Sequence, residues 1–180
     1  PADEVFAHID PKPLGSASLA QVHRATLKTG EDVAIKVQRP GVRETMAQDV
    51  SIMRSIAKAA TKVIRTSQIV DLKGVVEELW DTFESETDFL IEARNLAEFK
   101  CFAARFKYMD CPTVYAELCT EHVVVMEYID GISVSHPGQL VDAGYDLKEI
   151  GTKLVDNYAT QILDDGFFHA DPHPGNIIIR

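Results

Sequence analysis

Apolar and polar positions alternate along the early part of the chain in the manner of β-strands. Valine, isoleucine and alanine recur on both sides of the turn-forming string KTGED. The pattern predicts an antiparallel hairpin with strands near Leu19–Leu27 and Asp32–Gln38. Because side chains alternate between the two faces of a strand, Lys36 is expected on the face opposite to Ile35 and Val37.

The spacing changes to that of amphipathic helices after the hairpin. Apolar residues recur every three or four positions from Glu44 to Arg65 and from about Asp71 to Phe106, which predicts two helical regions. The predicted inner stripes are Val50, Met53, Ile56, Ala60, Val63 and Ile64 in the first region and Leu72, Val75, Val76, Leu79 and Phe83 in the second.

Short apolar runs and a further helix fill the rest of the chain. The β-branched strings PTVY and HVVVMEYI predict strands. Leu147–Asp165 has helical spacing, and Gly166 is placed to end that helix in a left-handed conformation. An apolar strand is still running near Arg180, and no initiator methionine precedes Pro1. We therefore expect a piece of a longer protein.

Composition and charge narrow the class of protein. A chain of 180 residues with 46% hydrophobic content can bury a core of its own. The formal charge of −10 argues against nucleic acid as a partner, and any anionic ligand needs local cations. No apolar run approaches the ~18 residues of a membrane span, and no signal peptide opens the sequence. We expect a protein that is cytoplasmic or peripheral to the cytoplasmic membrane face.

The cysteine spacing does not indicate a metal site. Cys101, Cys111 and Cys119 form no CxxC pair. We expect them to be buried structural thiols in a reducing compartment rather than zinc ligands.

Small residues in the string LGSASLAQV form a candidate phosphate-binding loop. Gly15, Ala17, Ala20 and Val22 follow the spacing GxGxxGxV, with alanine in place of the second and third glycines. Small residues let backbone N–H groups approach phosphate oxygens closely, although an ordinary tight loop can have the same string. The candidate nucleotide-binding residues of this loop are Gly15, Ser16, Ala17, Ser18 and Val22.

A lysine follows the candidate loop in a kinase-like string. Lys36 lies in VAIKVQ, fourteen residues after Val22, and VAIK after such a loop is a kinase signature. We expect Glu92 beside it, because Phe89 and Leu96 place that glutamate on an apolar stripe of its helix. A carboxylate there is costly unless it meets a cation. Alternatively, Glu92 lies at the edge of the stripe and bends out to water.

The end of the string VVVMEYIDG is a candidate adenine-binding segment. Met126 is expected at the back of a pocket, and the backbone that follows, through Glu127 and Ile129, is expected to pair with an adenine edge. Any edge strand offers such backbone groups, so the string supports this role only in combination with the other motifs.

The string HADPHPGN has two interpretations. Asp171 and Asn176 are five residues apart, as in the kinase catalytic loop. In that interpretation Asp171 accepts the proton of the attacking hydroxyl, and the Asn176 amide oxygen holds Mg²⁺. Alternatively, His169, Asp171 and His173 are the ligands of a metal-dependent hydrolase. A hydrolase of that kind has no need of the lysine and glutamate described above.

Four strings together resemble the UbiB (UbiB/AarF-type) family of atypical kinase-like proteins, namely LGSASLAQVHRA, VAIKVQRPG, ESETDFLIEARN and HADPHPGN. The resemblance covers nearly the whole chain. It implies an α+β fold of the bilobal protein-kinase-like type. Residues 1–130 would form a small β-rich N-lobe with inserted helices, and residues 131–180 would begin a helical C-lobe. The inserted helices would explain why Lys36 and Glu92 are far apart in sequence.

The same resemblance implies roles for further residues. Glu86 and Asp88 would form the family's ExD element, which works with a KxGQ segment upstream, and His169 would have a structural role in the loop. The chain contains no KxGQ string and no DFG triplet, and the latter is expected soon after Arg180. Without the metal-binding aspartate of DFG, the 180 residues alone are expected to be inactive.

The activity implied by the resemblance is that of an atypical kinase or ATPase. It would bind ATP and Mg²⁺ and transfer or hydrolyse the γ-phosphate in support of isoprenoid quinone or prenyl-lipid metabolism. Lys36 would contact the phosphates, Glu92 would orient Lys36, and prenyl lipids, quinone precursors and a membrane surface would be partners. The alternative is a nucleotide-gated lipid-binding module that performs no phosphoryl transfer.

Overall fold

The computed structural model describes residues 1–63 and 71–180. The strands are β1 (Phe6–Ile9), β2 (Gly15–Ser16), β3 (Ala20–Leu27), β4 (Asp32–Gln38), β5 (Val123–Glu127), β6 (Ile132–Ser133) and β7 (Ile178–Ile179). The helices are α1 (Ala2–Val5), α2 (Val42–Val63), α3 (Leu72–Thr87), α4 (Phe89–Ala103), α5 (Pro137–Asp142) and α6 (Leu147–Thr160). Ile64 and Arg65, predicted to end the first helix, lie outside the described residues.

The chain divides into two compact units. The sheet unit comprises Pro1–Ala97 and Thr113–Glu127, and the helical unit comprises Glu98–Pro112 and Tyr128–Arg180. The predicted boundary is at residue 130, with residues 98–112 in the first lobe. In the structure that segment belongs to the helical unit, because three of its phenylalanines pack against one another and against an aromatic residue near the loop HADPHPGN. These side chains are Phe99, Phe102, Phe106 and Phe167.

The predicted hairpin is the centre of the sheet unit. Strands β3 and β4 pair in antiparallel register, and the sheet has the order β1-β3-β4-β5, with β2 pairing to β3. The turn between β3 and β4 contains Gly30 at φ 106°, a left-handed conformation that glycine adopts without steric cost. The hairpin prediction is therefore confirmed, with strand bounds within one residue of those expected.

Apolar side chains cover both faces of this sheet. Ala25, Leu27, Val33, Ile35 and Val125 form one cluster. A second cluster contains Ala20 and Val124 together with Phe89 and Ala93, so the start of α4 packs on this second face. The second face is the one that positions the candidate site.

The helical region predicted from Asp71 to Phe106 is two helices. Asp88 has an extended backbone, with φ −88° and ψ 94°, and separates α3 from α4. The predicted inner stripe of α3 is also partly wrong, because Val75 and Leu79 are 41% and 52% exposed, whereas Val76 and Phe83 are buried. Helices α2 and α3 pack mainly on each other. Only a narrow row of side chains on each helix is buried in that contact, and the rest of each predicted stripe is exposed.

The stripe predicted for α2 and one predicted strand need similar corrections. Ile56 is 63% exposed, whereas Val50 and Ala57 are buried. The string PTVY forms a single bridge, from Val114 to Met126, instead of a strand, because a 3-10 turn begins at Ala116 and ends the pairing. Of the cysteines expected to be buried, Cys101 is exposed, Cys111 is buried and Cys119 is intermediate.

Helix α6 leads to the loop HADPHPGN in the helical unit. The Asp146 side chain caps α6 by accepting hydrogen bonds from the backbone N–H groups of Lys148 and Glu149. A π-helical turn, Gln161–Asp165, extends the helix, and Gly166 ends it at φ 67°, as predicted. Beyond the loop, β7 pairs with β6. Among the described residues, no helix combines the length and apolar character needed to cross a bilayer.

Candidate functional site

Lys36 and Glu92 meet on the second face of the sheet. Lys36 Nζ donates a hydrogen bond to Glu92 Oε2 at 2.6 Å, and the two side chains are 27% and 39% exposed. The Lys36 ammonium also lies 4.8 Å from the centroid of the Phe89 ring, within reach of a cation–π interaction. The structure thus brings together the lysine and the acid that the sequence analysis paired.

The start of α4 explains why Glu92 reaches this lysine. Asp88 Oδ1 accepts a hydrogen bond from Leu90 N at 3.0 Å, and Phe89 N donates to Glu121 O at 3.1 Å. These contacts fix the first turn of α4, and Phe89, only 1% exposed, anchors it on the sheet. Since residues three apart share a helix face, Glu92 projects beside Phe89 toward β4. The alternative in which Glu92 bends out to water does not hold.

The small-residue loop is a hairpin-like turn between β2 and β3. Gly15 pairs with Val22, and Ala17 N donates to Ala20 O at 2.9 Å. The residues from Gly15 to Ser18 are exposed. Gly15 lacks a left-handed backbone, and a Cβ added there would meet nothing within 4 Å. The fold itself therefore does not require glycine at this position.

The candidate adenine-binding residues lie at the end of β5 and beyond it. Met126 pairs with Ala34 across β4 and β5. Glu127 N donates to Thr113 O at 2.8 Å, and the Glu127 carboxylate accepts from Thr113 N at 3.1 Å. Ile129 belongs to the helical unit, where it lines a cavity. Their role in adenine binding stays a prediction.

Asp171 and Asn176 contact each other within the exposed loop. Asn176 Nδ2 donates to Asp171 Oδ2 at 3.0 Å and to Asp171 O at 3.3 Å. With the amide nitrogen turned to the carboxylate, the amide oxygen is the Asn176 atom that can face a cation. Burial raises the pKa of the Tyr158 phenol, and the charge of the Asp171 carboxylate adds to the rise.

The two histidines of this loop support its backbone. His169 Nδ1 accepts a hydrogen bond from Asp171 N at 3.2 Å, and His173 Nδ1 accepts from Gly175 N at 3.1 Å. A neutral imidazole that accepts at Nδ1 carries its proton on Nε2 and has no lone pair left for a metal. Within residues 1–63 and 71–180, no group of three or more His, Cys, Asp or Glu side chains is placed to hold a metal ion. This geometry speaks against the metal-dependent hydrolase.

The geometry described above agrees with the comparison to known proteins. Residues 1–180 match the ABC1 atypical kinase-like domain. The chain belongs to this family. Relatives named "Probable protein kinase UbiB" include one from Azotobacter vinelandii, 41% identical over 98% of this chain. The resemblance drawn from the four strings is therefore confirmed.

Another curated protein and a solved structure are also similar to this ABC1-family chain. The "Uncharacterized protein in hydrogenase 1 5'region" of Clostridium pasteurianum is 43% identical over 99% of the chain. The chain spans about a third of the length of these curated relatives, 33% in both cases. The solved structure of Rv3197 from Mycobacterium tuberculosis, in complex with erythromycin, has a TM-score of 0.78 and 30% identity, covering 98% of this chain and 44% of that one. The protein-kinase-like α+β fold is thus established.

The acids of the predicted ExD element lie at the end of α3. Glu86 is exposed, and Asp88 is partly buried at the break between the two helices, where it caps α4 as described above. Asp88 therefore stabilises the start of α4, independently of any interaction with a KxGQ segment. The ExD function of both residues stays a prediction in this ABC1-family chain.

Arg39 is a residue of the site that the sequence analysis did not single out. Its Nε donates to Ala17 O at 2.9 Å, and one of its terminal nitrogens donates to Ser16 Oγ at 2.6 Å. It fastens the small-residue loop to the end of β4. The available signal was its position in the string KVQRPG, three residues after Lys36, because a cation directly beyond that strand can reach the neighbouring loop.

Proposed function

We propose that this chain carries the nucleotide-binding and part of the phosphate-handling apparatus of an atypical kinase or ATPase of the UbiB type. The protein would bind Mg-ATP and transfer or hydrolyse its γ-phosphate in support of isoprenoid quinone or prenyl-lipid metabolism. The observation that carries the proposal is the contact between Lys36 Nζ and Glu92 Oε2, at 2.6 Å. Lys36 lies on β4, which pairs with the strand that follows the small-residue loop.

Lys36 supplies the local cation that an anionic ligand needs on a chain of net charge −10. Glu92 on one side and the Phe89 ring on the other limit the positions that its ammonium can adopt. A lysine held in this way can contact phosphate oxygens without first having to be ordered. Its partly buried position strengthens that interaction, because water screens it less than at the surface.

The small-residue loop supports a role in phosphate binding through its backbone. Its exposed residues Gly15 to Ser18 have small side chains, so N–H groups can approach a ligand closely. Arg39 fixes this turn through Ala17 and Ser16, which reduces the conformational entropy that the loop loses on binding. The adenine moiety would then lie against the backbone that follows Met126.

The donor atoms of the helical unit suit Mg²⁺. This ion prefers oxygen ligands and is commonly held by one or two protein groups together with substrate phosphates. The Asn176 amide oxygen is such a group, because its Nδ2 is turned to the Asp171 carboxylate and its oxygen is left for the ion. Mg²⁺ would neutralise phosphate charge when bound. Asp171, solvent-exposed in this loop, would accept the proton of an attacking hydroxyl or water.

The lipid partners rest on the family resemblance. We include prenyl lipids or quinone precursors, together with a membrane surface, as partners of the full-length protein, and exclude nucleic acid because of the acidic charge. The experiments below separate transfer or release of the γ-phosphate from nucleotide binding alone.

The test compares Lys36→Met with Lys28→Met in the full-length protein. Lys28 lies in the turn of the same hairpin and is exposed, so both variants lose one charge from one hairpin. We expect Lys36→Met to lower Mg²⁺-dependent phosphate release from ATP about 10²-fold, as the loss of a transition-state cation does, and Lys28→Met to leave it unchanged. Equal turnover of the two variants would refute the proposal.

A second arm of the experiment addresses the lipid-binding alternative. Labelled ATP is offered to the wild-type protein with and without a prenyl-lipid extract, and both bound nucleotide and released phosphate are measured. Phosphate transfer or release that responds to the lipid supports the kinase or ATPase. Nucleotide binding that changes lipid affinity, with no phosphate released, would show a nucleotide-gated binding module instead.

A further inference from the structure

Asp110 joins two elements of the helical unit that are far apart in sequence. Asp110 Oδ1 accepts a hydrogen bond from Lys100 Nζ at 2.6 Å, and Asp110 Oδ2 accepts one from the Arg180 guanidinium at 3.1 Å. Lys100 lies in the last turn of α4. Arg180 follows strand β7 directly. One carboxylate thus binds a cation from each of these two elements.

The backbone beside Asp110 strengthens the link to α4. Cys111 N donates to Asp110 Oδ1 at 2.9 Å, and Lys100 Nζ donates a second hydrogen bond to Cys111 O at 2.6 Å. Cys111 is 8% exposed, so the segment that carries Asp110 is anchored in the interior of the unit. The hydrogen bond from Lys100 lowers the pKa of Asp110, and Cys111 N and the charge of Arg180 add to that decrease. Asp110 is therefore charged at neutral pH.

Strand β7 connects Arg180 to the loop of Asp171 and Asn176. Asn176 is two residues before the start of β7, and Val134 N donates to Ile177 O at 3.0 Å, which extends the pairing of β6 with β7 toward the loop. Asp110, Asn176 and Arg180 line the same cavity of about 670 Å³. The backbone of β6 therefore holds the start of β7 next to the loop, and Asp110 holds the far end of β7 through Arg180.

We propose that Asp110 is a positioning residue, which fixes the metal-binding amide of Asn176 by holding β7 to the last turn of α4. This inference rests on the proposed function, because it assigns Asn176 a metal to hold.

The negative charge of Asp110 decides whether Lys100 and Arg180 are held together or repel each other. With Asp110 charged, both cations are attracted to one point. With Asp110→Asn, Lys100 and Arg180 face a neutral amide, and their mutual repulsion is no longer offset. Arg180→Gln removes the cation on β7 alone and leaves the link to α4 in place. The two variants should therefore have similar effects on the loop, and the double variant should be no worse than either one.

The chain offers a matched control in the same unit. Glu149 pairs with Lys153 one turn further along α6. That ion pair is also at the surface and lines the same cavity, but it joins two residues of a single helix. Glu149→Gln therefore removes a comparable carboxylate without releasing β7.

The experiment measures ATP turnover by the full-length protein as a function of Mg²⁺ concentration. We expect Asp110→Asn and Arg180→Gln each to raise the half-saturating Mg²⁺ concentration about 3- to 10-fold, a size typical of residues that act through a network. Asp110→Glu should recover part of the loss, and Glu149→Gln should behave as the wild type. An unchanged half-saturating concentration in folded Arg180→Gln, or additive effects in the double variant, would overturn the proposal.

A second measurement does not depend on activity. Hydrogen exchange of the amides from Asn176 to Ile179 should be faster in Asp110→Asn and Arg180→Gln than in Glu149→Gln. If the wild type turns over no ATP, the proposed function fails. The positioning role of Asp110 is then still supported if the amides exchange faster in Asp110→Asn and Arg180→Gln. It is overturned if Asp110→Asn, Arg180→Gln and Glu149→Gln all exchange at the same rate.

Discussion

In the sheet unit, Lys36 and Glu92 come from a strand and a helix that are distant in sequence, and they meet over a phenylalanine that is 1% exposed. In the helical unit, by contrast, Asp171 and Asn176 lie in one exposed loop and are held by hydrogen bonds within that loop. The first pair depends on the packing of a core, whereas the second depends on local backbone geometry.

This difference predicts how each half responds to change. A substitution in the core beneath α4 should displace Glu92 and leave the loop HADPHPGN intact. A substitution in the loop should remove its chemistry and leave the stability of the sheet unit unchanged. Both outcomes follow from where the stabilising contacts lie, and each can be measured separately.

The largest effect is expected from Asp171→Asn in the full-length protein. If Asp171 is the proton acceptor, phosphate release should fall about 10²- to 10⁴-fold, the usual contribution of a general base. The substitution keeps the size of the side chain and a hydrogen-bonding partner for Asn176, so the loop should keep its shape. Asp164→Asn, an exposed acid before the same loop, is the control and should retain full turnover. Unchanged phosphate release in Asp171→Asn would remove this residue from the mechanism.

The next effect concerns the core of the sheet unit. Phe89→Ala should lower the free energy of unfolding of that unit by about 3–5 kcal/mol, because a fully buried ring is lost and a cavity remains. Hydrogen exchange of the β4 and β5 amides measures this free energy. Phe168→Ala is the control, since Phe168 is 46% exposed, and its effect should be small. Equal losses in the two variants would contradict the proposed contrast between a packed pair and a locally held loop.

A smaller effect is expected from Glu92→Gln. The amide can still accept a hydrogen bond from Lys36, but it orients the ammonium toward the transition-state phosphate less firmly, because the bond is no longer charge-assisted on both sides. Turnover should therefore fall roughly 10- to 100-fold, while the thermal midpoint changes little because both partners are partly exposed. Glu84→Gln, which breaks a surface pair with Arg43 between α2 and α3, is the matched control. Similar turnover in the two variants would show that Glu92 does not orient Lys36.

Features set by local chemistry could be predicted from the sequence. The hairpin strands follow from alternation, and Gly166 ends the last helix because a left-handed residue was needed there. The spacing of Asp171 and Asn176 indicated one shared loop, whereas the hydrogen bond between their side chains appears only in the structure. The pairing of Lys36 with Glu92 was also predictable, because a charged residue between apolar positions requires a partner.

Features that depend on tertiary packing, such as which face of a helix is covered by a neighbouring element, could not be predicted. Val75, Leu79 and Ile56 have helical spacing but are exposed, because α2 and α3 cover each other along a single seam and spacing alone does not reveal the width of a contact. The break at Asp88 was missed for a related reason. Helical spacing continues through it, and the extended residue is fixed by contacts to Leu90 and by the Glu121 carbonyl bonded to Phe89 N.

The smallest effect separates a glycine required by the fold from one available to a ligand. Gly30→Ala forces a side chain into a left-handed backbone and should lower the unfolding free energy of the sheet unit by about 1–3 kcal/mol.

Gly15→Ala meets open space without backbone strain, so it should raise that free energy by about 0.4–1 kcal/mol through the unfolded state. Hydrogen exchange of the β3 amides checks both values. If phosphate oxygens approach the Gly15 backbone, labelled-ATP binding should nevertheless weaken in Gly15→Ala while stability rises. A Gly15→Ala protein that loses stability as Gly30→Ala does would show that the loop needs this glycine for its own conformation, and its link to a nucleotide would lose its basis.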